Sequence, residues 1–193
     1  MIQIKDKSKC CGCMACVQKC PKQCITMKED EEGFLYPHVD ESLCVSCNLC
    51  EKVCPVINQT ANNEPIKVYA ATNNNEEILK QSSSGGIFSL IAEKILDENG
   101  VVFGAAFNDK WEVCHTYIEK KEDLCKLRGS KYVQSKIGST YKDAEHFLKQ
   151  NRKVLYSGTP CQIAGLKKYL RKDYEHLICV DVICHGAPSP SSL

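Results

Sequence analysis

The hydrophobic pattern of the 193-residue chain changes near residue 60. Upstream, apolar residues fall singly or in pairs with little helical periodicity. From residue 66 onward they gather into runs that alternate between strand and helix spacing. Residues 68–72 (VYAAT) read as a strand. Residues 84–99 read as a helix, with Ile87, Leu90, Ile91 and Ile95 on one face and a stop at Asn99-Gly100. The compact apolar run 101–107 predicts a buried strand, and 114–118 is a weaker strand pattern. Ser139 is placed to cap a helix reaching about residue 150. A strand at 153–157, a helix at 161–171 and a strand at 177–184 complete the series. Such alternation predicts an α/β layer arrangement with a partly parallel sheet. The polar, turn-forming stretch 60–65 (TANNEP) reads as a linker, dividing the chain into domains at 1–60 and 61–193.

Charge adds an exclusion. With 25 Lys and Arg against 24 Asp and Glu, the net charge is +1, and nothing suggests a nucleic-acid or polybasic membrane partner. No apolar run approaches the roughly 20 residues of a membrane-spanning helix. The start, MIQIKDKSKCC, lacks the apolar core of a secretory signal, so a cytoplasmic location is expected.

Cysteine changes the picture most. The chain has 15, an odd number, and ten lie within residues 10–54, mostly two or three residues apart. Thiols that close make poor disulfide partners and good chelators of one metal centre. The spacing C-x2-C-x2-C-x3-C-P occurs twice, as Cys10, Cys13, Cys16, Cys20-Pro21 and as Cys44, Cys47, Cys50, Cys54-Pro55. A tight loop of this spacing wraps three thiolates around one face of an iron–sulfur cube, and the fourth reaches the other cube. The assignment is therefore crossed: Cys10, Cys13, Cys16 and Cys54 hold one 4Fe–4S cluster, and Cys44, Cys47, Cys50 and Cys20 the other. Gly12 and Ala15 suit a backbone folded close to a cube. The competing zinc reading fits less well, because zinc usually takes paired C-x2-C knuckles. Cys11 and Cys24 fall outside the ligand count and read as packing residues, as do Cys114, Cys125 and Cys179. Trp111 and the tyrosines show no stacking array.

The second half carries its candidate chemistry where strands and helices meet. Ser84, Gly85 and Gly86 precede a helix, where hydroxyls and backbone N–H groups either cradle a phosphate or simply cap the helix. Ser157, Gly158, Thr159 and Gln162 repeat the strand–turn–helix arrangement, with Pro160 at the helix start. Cys161 sits in that helix's first turn, where the dipole lowers a thiol pKa. Three roles stay open for it: redox thiol, additional cluster ligand, or small buried residue. Cys184-His185-Gly186 is expected to end a strand, where open α/β sheets bind ligands, and an unperturbed histidine side chain changes charge near neutral pH. A proton-donor role for His185 competes with that of a solvated loop residue.

Four ordered stretches, Ser82-Ser-Ser-Gly85-Gly86, Gly129-Ser-Lys131-Tyr132-Val-Gln-Ser135, Ser157-Gly-Thr-Pro-Cys161-Gln162 and Cys184-His185-Gly186-Ala-Pro188-Ser189, accompany a start that resembles two-cluster bacterial ferredoxins. Together they resemble the family of coenzyme F420 hydrogenase/dehydrogenase β subunits. The resemblance implies an α+β ferredoxin-like domain followed by an α/β flavin-associated domain that stops short of the family's usual C-terminal part. It implies FAD, with Ser84, Gly85, Gly86, Lys131, Tyr132, Ser157, Gly158, Thr159 and Gln162 as cofactor-binding residues. A role for Cys161 and His185 beside the flavin or a metal centre follows from the same likeness. The implied function is an iron–sulfur flavoprotein oxidoreductase. Hydride is exchanged between FAD and deazaflavin F420 or another organic substrate, and single electrons pass through two clusters to a ferredoxin-like protein or another oxidoreductase component. The alternative is a non-enzymatic electron-transfer or docking subunit whose α/β half holds no flavin.

Overall fold

The computed structural model describes residues 1–59 and 67–189; the expected linker at 60–65 lies outside the described residues. The N-terminal part contains two short helices, α1 (Ala15–Lys19) and α2 (Leu49–Lys52), and a hairpin of β1 (Ile25–Glu29) and β2 (Leu35–Val39) between them. The hairpin pairs antiparallel from Ile25↔Val39 to Glu29↔Leu35. Its turn is held by Asp30, whose carboxylate accepts from the Glu32 and Phe34 amides. Alternation is weak in both strands, which is why the sequence pattern does not announce them.

The two cysteine repeats share a backbone. Gly12 and Ser46 occupy equivalent places and are left-handed at φ +62° and +52°; Met14 and Asn48 follow at φ +60° and +57°. Non-glycine residues hold this conformation at a cost of about 1 kcal/mol or more, so its repetition marks a loop bent for a purpose. Met14 and Asn48 then start α1 and α2.

The second part contains α3 (Glu76–Lys80), α4 (Ile87–Asp97), β3 (Val101–Phe107), β4 (Val113–Ile118), a 3-10 turn at Lys121–Lys126, α5 (Thr140–Lys149), β5 (Val154–Gly158), α6 (Pro160–Leu170) and β6 (Leu177–Asp181). The strands form one sheet in the order β4-β3-β5-β6. β3 is antiparallel to β4, while β3–β5 and β5–β6 are parallel. Period-two alternation serves both faces. Val101, Phe103, Val154 and Tyr156 point into a core with α5 and α6, and Val102, Ala106 and Leu155 into one with α4 and the 3-10 turn.

Several expectations change. Residues 68–72 form no strand: Val68 and Tyr69 are 84% and 78% exposed, and strand formation without a neighbouring strand leaves the ladder unpaired. The helix expected from 84 begins at Ile87, because Gly86 is left-handed (φ +71°) at its N-cap. Its buried face is Ser89, Ala92, Ile95 and Leu96, with Leu90 exposed. The last strand ends at Asp181, so Cys184, His185 and Gly186 lie in an exposed loop beyond it. Cys125 is exposed rather than packed, and Cys114 and Cys179 are half-buried. The aromatic residues do stack: Phe103 and Tyr156 lie 5.2 Å apart at 16°, and Tyr141 and Tyr169 extend the group.

The two parts share a core. Cys13, Ala15 and Val53 from the cysteine-rich half pack with Tyr141, Ile163, Leu166 and Tyr169 of α5 and α6. Ser139 is the N-cap of α5, as expected, but its hydroxyl donates to Asp143. The cap comes instead from Gln18 on α1, whose Oε1 accepts from the amides of Tyr141 (3.1 Å) and Lys142 (3.2 Å).

Candidate metal centres and the adjoining sheet edge

The repeated loops enclose two thiol-lined cavities. One, about 340 Å³ with its mouth included, is lined by Cys20, Cys44, Cys47 and Cys50. The other, about 350 Å³, is lined by Cys10, Cys13, Cys16 and Cys54. Each takes three thiols from one repeat and the fourth from the C-P end of the other. Apolar residues complete the walls, including Ile25, Val39 and Leu49 in the first and Ile2, Ile4 and Val56 in the second. Each cavity also holds a thiol outside the motif: Cys24, with its Sγ 3.4 Å from that of Cys20, and Cys11.

The donor set suits a cationic cluster. Burial pushes the Cys16 thiol up to about 12. A thiolate in such surroundings needs a bound cation to offset desolvation, and metal binding to thiols releases their protons for this reason. Cys24 is pushed up to about 11, chiefly by its contact with Cys20. All-thiol donors of this number and spacing match an iron–sulfur cube better than an oxygen-seeking ion.

The candidate residues of the second half gather along the C-terminal edge of β5 and the loops beside it. Ser83 Oγ accepts from the Ser130 amide at 2.8 Å, tying 82–86 to 129–135. Gly85 abuts Ala71, where a Cβ would lie 2.6 Å from the carbonyl oxygen, and Ser84 is exposed. Lys131 is turned back, its Nζ donating to the carbonyls of Arg128 (2.8 Å) and Lys126 (3.2 Å), with its pKa lowered by burial. Tyr132 is exposed. Ser157 donates to the Phe103 carbonyl, and Thr159 and Gln162 form a capping box at the start of α6. Gly158 lies under that box, where a Cβ would be 2.8 Å from Gln162 Oε1. Gln134 donates its amide to Pro188, bringing in the loop after β6; His185 in that loop is exposed.

Cys161 differs from expectation. Its thiol is pushed up, not down, because contact with the Cys11 thiol and burial together outweigh the lowering contacts of the Thr159 hydroxyl and the Gln162 amide. Thr159 Oγ1 lies 3.1 Å from its sulfur.

Sequence reasoning missed His115. Its ring is buried and stacked on Tyr156, with Nε2 donating to the Ser157 carbonyl at 3.0 Å and Nδ1 accepting from the Ser135 hydroxyl. Both hydrogen bonds fix one neutral tautomer. The available signal was alternation: Val113 and His115 share the inward face of β4. Burial depresses the ring's pKa from 6.5 to about 4. Since the folded state holds the ring neutral, the unfolded chain takes up the proton first as pH falls below 6.5. Stability is then lost between pH 6.5 and about 4, by on the order of 3 kcal/mol. The measurement is urea unfolding against pH for wild type and His115→Gln. The wild-type decline should be the steeper, and parallel curves overturn the assignment.

Comparison with known proteins places these features. Residues 9–58 match a model described as a 4Fe-4S dicluster domain. Residues 68–142 and 151–193 match the N-terminal and C-terminal models of the coenzyme F420 hydrogenase/dehydrogenase beta subunit. The chain is 27% identical to a subunit of the F(420)H(2) dehydrogenase of Methanosarcina mazei over 186 residues, covering 91% of this chain and 53% of that one. It is 28% identical to an uncharacterized protein of Methanocaldococcus jannaschii, covering 91% of this chain and 56% of the other. It therefore spans about half the length of these curated relatives. Among solved structures, a chain of the F420-reducing NiFe hydrogenase complex from Methanosarcina barkeri superposes with a TM-score of 0.53 at 26% identity, covering 63% of this chain and 45% of that one. Among the described residues no helix is long and apolar enough to cross a membrane. With a ferredoxin-type 4Fe–4S domain joined to both matched segments, the chain belongs to the family of coenzyme F420 hydrogenase/dehydrogenase beta subunits.

Proposed function

We propose that this chain is the electron-relaying part of an iron–sulfur flavoprotein oxidoreductase. In this reading Cys10, Cys13, Cys16 and Cys54 hold one 4Fe–4S cluster, and Cys20, Cys44, Cys47 and Cys50 a second. The observation that carries it is the crossed grouping of thiols in two cavities, one of them pressed against the family's signature loops. The left-handed loop residues bend each backbone around its cavity, as close N–H approach to a cluster requires.

The α/β half is proposed to bind FAD along the edge formed by 82–86, 129–135, 157–162 and 184–189. Ser84 and the amides opening α4 would meet a phosphate, while Tyr132 offers an exposed ring. Once bound, the flavin would exchange hydride with F420 or another organic substrate, and the clusters would carry single electrons to a protein partner. The names of the relatives, one from a dehydrogenase and one from a hydrogenase complex, support a place within a larger redox assembly.

A second reading, an electron-transfer or docking subunit without flavin, is favoured by one observation. Lys131, Ser83, Ser157, Thr159 and Gln162 already spend their polar groups on internal hydrogen bonds. Anaerobic purification followed by iron, acid-labile sulfide and flavin analysis separates the two. Iron and sulfide with FAD support the first reading, and iron and sulfide without FAD the second. Zinc without sulfide overturns both.

A further inference from the structure

We propose that the two thiol cavities have unequal and fixed places in the relay. The Cys10/Cys13/Cys16/Cys54 site is the inner junction with the α/β half; the Cys20/Cys44/Cys47/Cys50 site is the outer, solvent-facing terminal, where single electrons enter or leave. The inference rests on the cluster reading above and adds an order to it.

Contacts set the order. Of the eight motif thiols only Cys13, an inner one, belongs to the core shared with α5 and α6; Cys16 and Cys54 cluster within the cysteine-rich half together with the outer Cys20 and Cys50. Three contacts join the inner loop to the α/β half. Cys11 meets Cys161, Gly12 lies under the Gln134 amide, and Cys13 lies against Gly165 of α6. At Gly12 a Cβ would stand 2.6 Å from Gln134 Nε2; at Gly165 it would stand 3.1 Å from Cys13 Sγ. The outer loop is open to solvent. Cys47 is exposed, and its neighbours Leu43 and Val45 are 55% and 57% exposed.

Gly165 is the positioning residue at the junction. A glycine inside a helix costs about 1 kcal/mol relative to alanine. Here it stands where any side chain would be driven into Cys13 and the Tyr141 hydroxyl. The missing Cβ leaves room for Cys13, whose Sγ lies 3.1 Å from where that Cβ would stand. Electron tunnelling decays exponentially with separation, so this close packing would favour exchange between the inner cluster and a cofactor held by the α/β half. One electron crosses at a time, in the direction set by the two potentials, and no bond is made or broken.

The test uses the anaerobically purified, partly reduced holoprotein and paramagnetic resonance. Cys54→Ser and Cys20→Ser assign the inner and outer signals by which one each variant loses. Dysprosium–EDTA, a relaxation agent confined to solvent, is then added to frozen wild-type protein. The outer signal should be relaxed several times more than the inner one; equal or reversed enhancement overturns the order. Gly165→Ala should shift the line shape and midpoint potential of the inner signal and leave the outer one in place. A shift of the outer signal alone, or of neither, overturns the junction. If Gly165→Ala does not fold, the relaxation experiment on wild type decides. Two assignable signals with no difference between them sink this order alone, whereas a protein without cluster signals sinks the cluster reading itself.

Discussion

Cys20→Ser is expected to destroy the cluster site of the opposite repeat and spare its own. Cys20 closes the first C-x2-C-x2-C-x3-C-P run, yet its side chain lines the cavity of Cys44, Cys47 and Cys50. Its own repeat is completed by Cys54, which lines the cavity of Cys10, Cys13 and Cys16. A serine at position 20 removes one of four thiolates there, and a hydroxyl is a far poorer ligand for a soft iron–sulfur core. Iron and sulfide should fall by roughly half, as expected when one of two four-iron clusters is lost. Cys54→Ser should mirror this result in the other cluster. Loss of the same signal in both variants would rule out the crossed arrangement. Cys24 lies beside Cys20 and is the nearest thiol available for rescue, so the double variant Cys20→Ser/Cys24→Ser should lose the outer cluster more completely.

The second large effect concerns Gln18, and here stability is the readout. Gln18 Oε1 accepts from two amides in the first turn of α5, while its Nε2 has no partner among the described residues. Gln18→Leu leaves the Tyr141 amide without an acceptor, while the Lys142 amide keeps the Ser139 carbonyl at 2.8 Å. An unsatisfied buried donor costs about 1–3 kcal/mol, partly offset by removal of the unpartnered Nε2. The net loss should be about 1 kcal/mol, or a Tm lower by roughly 2–4 °C for a chain of this size. Gln18→Glu keeps an acceptor and places negative charge at a helix N-terminus, so it should retain most of the cap. Thermal unfolding by circular dichroism, with cluster absorbance followed in parallel, measures both. Equal Tm values for Gln18→Leu and wild type would show that this contact does not join the halves.

Much of the architecture was legible because the signals were local. The apolar run 101–107 can only be a buried strand, and β3 occupies those residues. Thr159, Pro160 and Gln162 carry helix-start chemistry within four positions, and α6 begins there. The hairpin at 25–39 was missed because its alternation is weak, and 68–72 was over-read because β propensity reports fit to a sheet that this segment does not join. Leu90 looked like a core residue by spacing alone. The face α4 buries is set by where the sheet lies, and that face is centred on Ala92 and Leu96.

By itself the sequence determined the two cysteine repeats, their shared spacing, the expectation of crossed ligation and the alternation of strands and helices. These depend on residues a few positions apart, where chain geometry leaves little choice. Only the tertiary structure decided that Cys11 meets Cys161, that Gln18 caps a helix more than a hundred residues away and that Gly165 admits Cys13. It also decided that His115 is held neutral between Ser135 and Ser157. Each of these joins distant segments: the first three become neighbours only when the cysteine-rich half and α5–α6 bury a common apolar surface, and the His115 contacts only when β4, β3 and β5 align in one sheet.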